Sequence, residues 1–203
     1  MLKRFTFILL FNLLAFSQVS AGTIMVLGDS LSAGYGFDPQ QGWVSLLQDQ
    51  LGTDYKVINA SVSGETSGGG LHRLPPLLQA HTPDWVIIEL GGNDGLRGYP
   101  LQKLRKNLED IIHKAQAANS KPVLVAIQIP PNYGPRYSQQ FATLYAELAD
   151  KFDIPLVNNF INLVATDSEL MQADGIHPNA KAQPILLEKI LVTLQPQLED
   201  FES

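Results

Sequence analysis

Three features of the sequence predict one three-layer α/β/α domain built on about five parallel strands. Short apolar, largely β-branched runs recur at Ile24–Leu27, Val57–Ala60, Trp85–Leu90, Val123–Ile129 and Leu156–Val157, none longer than eight residues. Segments with helical apolar spacing lie between them. The runs are near-continuously apolar rather than alternating, as strands covered on both faces should be. A strict strand–helix alternation implies crossover connections and a parallel sheet between helices. At about 100–200 residues per domain, 203 residues make one domain with a full core.

Each element has its own justification. The chain opens with Lys3 and Arg4, an apolar run from Phe5 to Phe16, and the small-residue site Val19-Ser20-Ala21. That is the plan of a secretory signal peptide, cleaved after Ala21, with residues 22–203 as the working domain. The apolar run falls short of the ~20 residues a spanning helix needs, so no stable membrane anchor is expected. No cysteine follows it to carry a lipid. Between the strand candidates, Leu101, Leu104, Leu108, Ile111, Ile112 and Ala115 mark one face of a helix. Weaker patterns of the same kind cover Trp43–Leu51, Leu71–Leu78, Phe141–Phe152 and Ile185–Leu194.

Composition excludes several functions. The absence of cysteine removes disulfides, thiolate metal sites, iron–sulfur clusters and a cysteine nucleophile. A formal charge of −6 argues against a nucleic-acid or anionic-membrane surface. Cleavage after Ala21 removes two positive charges and no negative ones, taking −6 to −8. There is no phosphate-cradling G-x-x-x-x-G-K-[ST], and Pro39 stands where a dinucleotide fingerprint needs its third glycine. The nucleophile elbow G-x-S-x-G is absent too, because Ser32 follows Ser30 at the second position. None of His72, His81, His113 and His177 has an i,i+4 histidine partner, and a carboxylate–imidazole metal site from Asp29, Asp174 and His177 is the weaker reading. No metal or cofactor is expected.

In an open parallel sheet the ligand site lies beyond the carboxyl ends of the strands. Gly28-Asp29-Ser30-Leu31-Ser32, Ser61-Val62-Ser63-Gly64-Glu65-Thr66 and Gly91-Gly92-Asn93-Asp94-Gly95 follow the first three runs. All are small, polar and glycine-bearing. A serine nucleophile needs an adjacent base, and the base needs a group that fixes its tautomer. Asp174-Gly175-Ile176-His177-Pro178 supplies both three residues apart, in a turn before the last helix, where Pro178 suits a helix start. Ser30, His177 and Asp174 are therefore the catalytic candidates. The Ser30 and Gly64 backbone N–H groups and the Asn93 amide are the candidate oxyanion donors. The other histidines read as helix or surface residues, His81 in a loop before the third strand. Singly, each motif is also an ordinary turn or cap; the combination at successive strand ends favours acyl transfer.

These blocks resemble the GDSL, or SGNH, hydrolase family: Gly28-Asp29-Ser30-Leu31-Ser32 its first block, Gly64 its second, Gly91-Gly92-Asn93-Asp94 its third, and Asp174-Gly175-Ile176-His177-Pro178 its fifth. Glu89 to Gly98, Pro131-Asn132-Tyr133-Gly134 and Gln183-Pro184 are similar to its exported multifunctional esterase branch. The resemblance implies a flavodoxin-like sheet of order 2-1-3-4-5, no cofactor, and hydrolysis of acyl esters and thioesters, lysophospholipids and aryl esters included. Ser30, Gly64, Asn93 and His177 would be the signature residues and Asp174 would complete the triad.

Asp29, Leu31, Gly95, Leu96, Arg97 and Tyr133 are the substrate-contact candidates, with the loop from Gly95 to Pro100 either closing over an acyl chain or merely entering a helix. The expected partner is a small or lipid acyl ester met by a monomer in the periplasm or outside the cell. Two alternatives remain: a carbohydrate O-deacetylase, which wants stacking aromatics at the cleft mouth, and a catalytically silent ligand-binding module.

Overall fold

The computed structural model describes residues 22–129 and 133–202. The expected signal segment 1–21, with its cleavage point, and Pro130-Pro131-Asn132 lie outside the described residues. Strands β1 (Gly22–Gly28), β2 (Tyr55–Asn59), β3 (Trp85–Glu89), β4 (Lys121–Val125) and β5 (Leu156–Val157) form one parallel sheet in the order 2-1-3-4-5. The helices are α1 (Ser30–Ala33), α2 (Trp43–Leu51), α3 (Ser67–His81), α4 (Gly92–Leu96), α5 (Leu101–Ala117), α6 (Pro135–Phe152), α7 (Asn162–Ala165) and α8 (Gln183–Glu202). Helices α2 and α8 pack together in one layer, while α3, α5 and α6 pack in series in the other. Fold class and strand order are those expected.

The central strands carry the core. Ile24 to Leu27 and all of β3 are buried, and Leu104, Leu108, Ile111, Ile112 and Ala115 of α5 face inward at the spacing read from the sequence. β1 lies between β2 and β3, so the chain leaves it toward one edge of the sheet and later returns to build the other. The crevice beyond β1 and β3 is the topological switch point, where open α/β sheets bind ligands. Ser30 follows β1 and Asn93 follows β3.

Several boundaries differ from expectation for physical reasons. β4 ends at Val125 rather than Ile129, because β5 offers it only Leu156 and Val157 to pair with. α3 starts at Ser67 rather than Leu71 and ends at His81, which is therefore helical and not in a loop. Its start was hidden by Gly68, Gly69 and Gly70, of which Gly70 sits where a Cβ would stand 2.4 Å from the Leu90 side chain. Pro178 does not start a helix. It pairs with Met171 in an isolated antiparallel bridge, and α8 begins only after a 3-10 turn, Ala180–Ala182, capped by Asn179. α8 then runs past Leu194 to Glu202, through Pro196. The short helices α1 and α4 lie where only loops were read.

The turn into α4 depends on a single glycine. Gly91 adopts φ +118°, and a Cβ there would stand 2.2 Å from the hydroxyl of Tyr145, which is buried and donates to the Leu90 carbonyl at 2.9 Å. Gly91→Ala combines left-handed strain with a steric clash and should destabilise the fold by roughly 2–4 kcal/mol. Urea unfolding checks this; a change below about 0.5 kcal/mol, the size of an inert surface substitution, would contradict it.

Candidate active site

Ser30 is the first residue of α1, placed directly beyond the buried β1. The side chain of Asp29 accepts from the Leu31 N–H at 3.0 Å and so caps this short helix. His177 comes from a turn far away in sequence. Its Nε2 lies 2.9 Å from Ser30 Oγ and its Nδ1 2.7 Å from Asp174 Oδ2. A carboxylate only accepts, so Nδ1 carries the proton and Nε2 presents its lone pair to the serine hydroxyl. The structure thus brings Ser30, His177 and Asp174 into one hydrogen-bonded chain.

Local bonds make that histidine turn rigid. Asp174 Oδ1 accepts from the N–H groups of Ile176, at 2.9 Å, and His177, at 3.0 Å, while Gly175 takes φ +66°. Gln172 donates to the carbonyls of Tyr35, at 2.7 Å, and Pro178, at 3.0 Å, tying the turn to the segment after α1. The Tyr35 ring lies 4.5 Å from the imidazole. Burial is the largest single influence on the Asp174 pKa and works to raise it, but the hydrogen bonds and charge around it together win. The His177 N–H, the imidazole hydrogen bond, the Ile176 N–H and the imidazole charge outweigh it and hold the carboxyl at about 2. Asp174 is therefore a carboxylate throughout the working range.

The other two loops are fastened to each other. Asp94 of α4 is buried and accepts from Ser67 twice, from the hydroxyl at 2.6 Å and from the backbone N–H at 2.8 Å. Asn107 donates to the same hydroxyl at 2.9 Å. Arg97 Nη2 donates to the Gly64 carbonyl at 3.1 Å, and the Val62 N–H donates to the Gly28 carbonyl at 3.0 Å. The Gly64 loop is thereby tied to the ends of both β1 and β3, with Gly64 at φ +79°. Asn93 Nδ2 donates to Asp29 Oδ2 at 2.9 Å. Among the described residues, nothing accepts from the backbone N–H of Ser30 or of Gly64.

Ser30, His177, Asn93 and Asp29 line a cleft of about 550 Å³. Leu31, Leu96, Ile127, Ile129, Ile161, Ala165, Met171 and Ile176 give it a largely apolar lining. Of the substrate-contact candidates, Asp29, Leu31 and Leu96 line the cleft. Gly95, Arg97 and Tyr133 are not cleft-lining residues. Gly95 packs tightly under Ile129 and Phe141, Arg97 serves Gly64, and the Tyr133 hydroxyl donates to the Leu96 carbonyl at 3.0 Å. The segment after α4 is knitted by its own bonds, Gly98 N–H to Gly95 O at 2.9 Å and Tyr99 N–H to Asp94 O at 2.9 Å.

Sequence reasoning missed Tyr35, Gln172, Ser67 and Asp94 as supports of the site, and Glu89 as a buried acid beneath it. It also missed the cleft walls from Ile127 to Ile129 and from Ile161 to Thr166. The first wall was readable in principle, since it follows a strand end, but was absorbed into an overlong fourth strand. No group of three or more His, Cys, Asp and Glu side chains among the described residues is arranged to hold a metal ion.

Comparison with known proteins fits this geometry. The GDSL-like Lipase/Acylhydrolase family profile matches residues 26–184. This chain belongs to that family. Among its members, Esterase TesA of Pseudomonas aeruginosa is 51% identical over 184 residues, spanning 89% of this chain and 92% of that one. Thioesterase 1/protease 1/lysophospholipase L1 of Escherichia coli K12 is 47% identical over 184 residues, spanning 91% and 88%. A solved structure of the psychrotrophic esterase EstA from Pseudoalteromonas sp., inhibited by monoethylphosphonate, superposes with a TM-score of 0.84 at 47% identity, covering 88% of this chain and 99% of that one. As a GDSL/SGNH family member, the chain is a hydrolase.

The loop-to-loop clamp has a measurable energy. Asp94→Ala leaves the Ser67 N–H and hydroxyl without their buried acceptor and should lower stability by roughly 2–4 kcal/mol. Denaturant unfolding of the variant checks this, and wild-type stability would show that the clamp is not needed.

Proposed function

We propose that this chain is an exported serine esterase, hydrolysing acyl esters and thioesters through an acyl-enzyme on Ser30. The observation that carries the reading is the unbroken chain Ser30 Oγ, His177 Nε2, His177 Nδ1, Asp174 Oδ2, whose serine and histidine line a largely apolar cleft. Ser30 Oγ attacks the acyl carbonyl as its proton passes to His177 Nε2, and Asp174 stabilises the imidazolium. The N–H groups of Ser30 and Gly64 and the Asn93 amide stabilise the oxyanion. His177 then protonates the departing alcohol or thiol. Water, deprotonated by the same imidazole, attacks the acyl-enzyme and releases the acid. Names of relatives support this substrate range: one is an esterase, another a thioesterase and lysophospholipase.

The walls favour an acyl chain longer than acetyl, because they are built from Leu31, Leu96, Ile127, Ile129, Ile161 and Ala165. Trp43 and Trp85 are both fully buried, so neither can stack on a sugar at the mouth, which disfavours the O-deacetylase reading. Lys3-Arg4, the apolar run and Val19-Ser20-Ala21 support export, with the domain beginning at residue 22. No helix among the described residues is long and apolar enough to cross a membrane. An exported monomer would meet lysophospholipids and other outer-compartment esters rather than cytoplasmic acyl-CoA. An acidic chain with no cofactor fits a small or lipid ester substrate and not nucleic acid.

Hydrolysis of p-nitrophenyl esters from acetyl to palmitoyl tests the reading. The rate should peak beyond acetyl and fall on the order of 10⁶ in Ser30→Ala, the loss seen when a serine hydrolase is deprived of its nucleophile. Asn93→Ala should lower kcat roughly 10²–10³. Ala165→Phe, which fills one wall, should shift the peak to shorter chains. Activity confined to acetyl would favour the deacetylase, and hydrolysis that survives Ser30→Ala would overturn the acyl-enzyme.

A further inference from the structure

The cap on α1 explains only one of the two oxygens of Asp29. Oδ1 accepts from the Leu31 N–H, while Oδ2 accepts from Asn93 Nδ2 at 2.9 Å, across the switch point between β1 and β3. Asp29 is 2% exposed, lines the cleft and immediately precedes Ser30 in the chain. An asparagine side chain has an –NH₂ end and a carbonyl end that are almost the same shape, and only its partners decide which faces where. Among the described residues nothing donates to Asn93 Oδ1, so Asp29 is the group that tells the two ends apart. A carboxylate only accepts. Turning the amide over would set two acceptors against each other at hydrogen-bond distance.

Asp29 is itself held from behind. Glu89, at the end of β3 and fully buried, accepts through Oε2 from the Asp29 N–H at 3.1 Å and from the Ser32 hydroxyl at 2.7 Å. Burial, with the nearby Asp29 carboxylate, lifts the Glu89 pKa well above the usual carboxylate range. Burial also lifts Asp29, to about 6, opposed by the Leu31 N–H, the Asn93 amide and the His177 charge and assisted by Asp94.

Resting on the hydrolase reading above, we propose that Asp29 is a positioning residue that orients the Asn93 amide, holding one N–H from behind so that the other is aimed at the reacting carbonyl oxygen. This replaces the substrate contact expected of Asp29 from sequence. The amide geometry supports it, because the two N–H bonds of –NH₂ diverge in one plane and Asp29 can take only one of them. An oxyanion donor fixed before the substrate arrives needs no reorganisation as charge develops.

A double-mutant cycle reads the coupling. In otherwise wild-type protein, Asp29→Asn should lower kcat on p-nitrophenyl butyrate roughly 10- to 100-fold with KM changed less than about twofold. In the Asn93→Ala background the same substitution should change kcat less than about threefold, because the group it acts through is gone. An equal loss in both backgrounds, or a raised KM with kcat kept, would overturn the positioning role. Hydrolysis that survives Ser30→Ala would instead overturn the hydrolase reading, and the positioning role with it.

A second readout requires no substitution at position 29. Ser30 of the wild-type protein is phosphonylated with an alkyl p-nitrophenyl phosphonate: Ser30 Oγ bonds to phosphorus, p-nitrophenolate leaves, and the serine proton goes to His177. By NMR with isotope-labelled asparagine, assigned by the signals lost in Asn93→Ala, one Asn93 amide proton should move on labelling while the proton held by Asp29 stays. Both moving, or neither, would overturn the proposal.

Discussion

Parallel pairing of the five strands is the constraint on which the site depends. Every strand runs the same way, so each delivers its following loop to one edge of the sheet. With β1 between β2 and β3, the loops bearing Ser30, Gly64 and Asn93 have no choice but to be neighbours. Direct bonds then refine what the topology brings near. Asp94 holds Ser67, Arg97 holds Gly64, and Asp29 holds Asn93. The His177 turn arrives from the far end of the chain and is pinned by Gln172 and Asp174 rather than by the sheet.

The acids of the site divide by solvation. Asp174 sits near the surface among N–H donors and is held at about 2, while Asp29 is buried and lifted to about 6. For Asp174 the folded value is below the ordinary one. It therefore contributes stability that is full above the usual carboxylate range and is lost as pH falls toward 2. For Asp29 the folded value is above the ordinary 3.8, so its charged form weighs against folding increasingly as pH rises from about 4 to 6 and fully above that. A buried carboxylate beside a second buried acid does not serve stability. Its place in the cleft lining is the kind of stability cost that functional sites carry.

Much of this was legible in the sequence because strand composition and loop composition are separate signals. Ile24–Leu27 and Trp85–Leu90 announced buried strands, and the polar, glycine-bearing loops after them announced one edge of a parallel sheet. Ser30, Asp174 and His177 could be grouped because acyl transfer needs those residue types together. The supports were hidden for equally physical reasons. Glu89 lies inside an apolar run, where nothing marks its side chain as aimed at Asp29. Gly68, Gly69 and Gly70 masked the start of α3, so Ser67 was not seen as the partner of Asp94. Ile127 to Ile129 looked like strand because a cleft wall and a buried strand need the same side chains. Arg97, exposed and charged in a loop, reads as a ligand contact, and nothing in its sequence setting marks the bond that one of its N–H groups gives the Gly64 carbonyl.

Everything in this site converges on Ser30 as the nucleophile. Intact-protein and peptide mass spectrometry after treatment with an alkyl p-nitrophenyl phosphonate tests it most directly. One phosphonyl group per chain is expected, carried on the peptide containing Ser30, and none on the His177→Ala variant over the same time. Labelling at another residue, or no labelling of a folded protein that still hydrolyses esters, would contradict it.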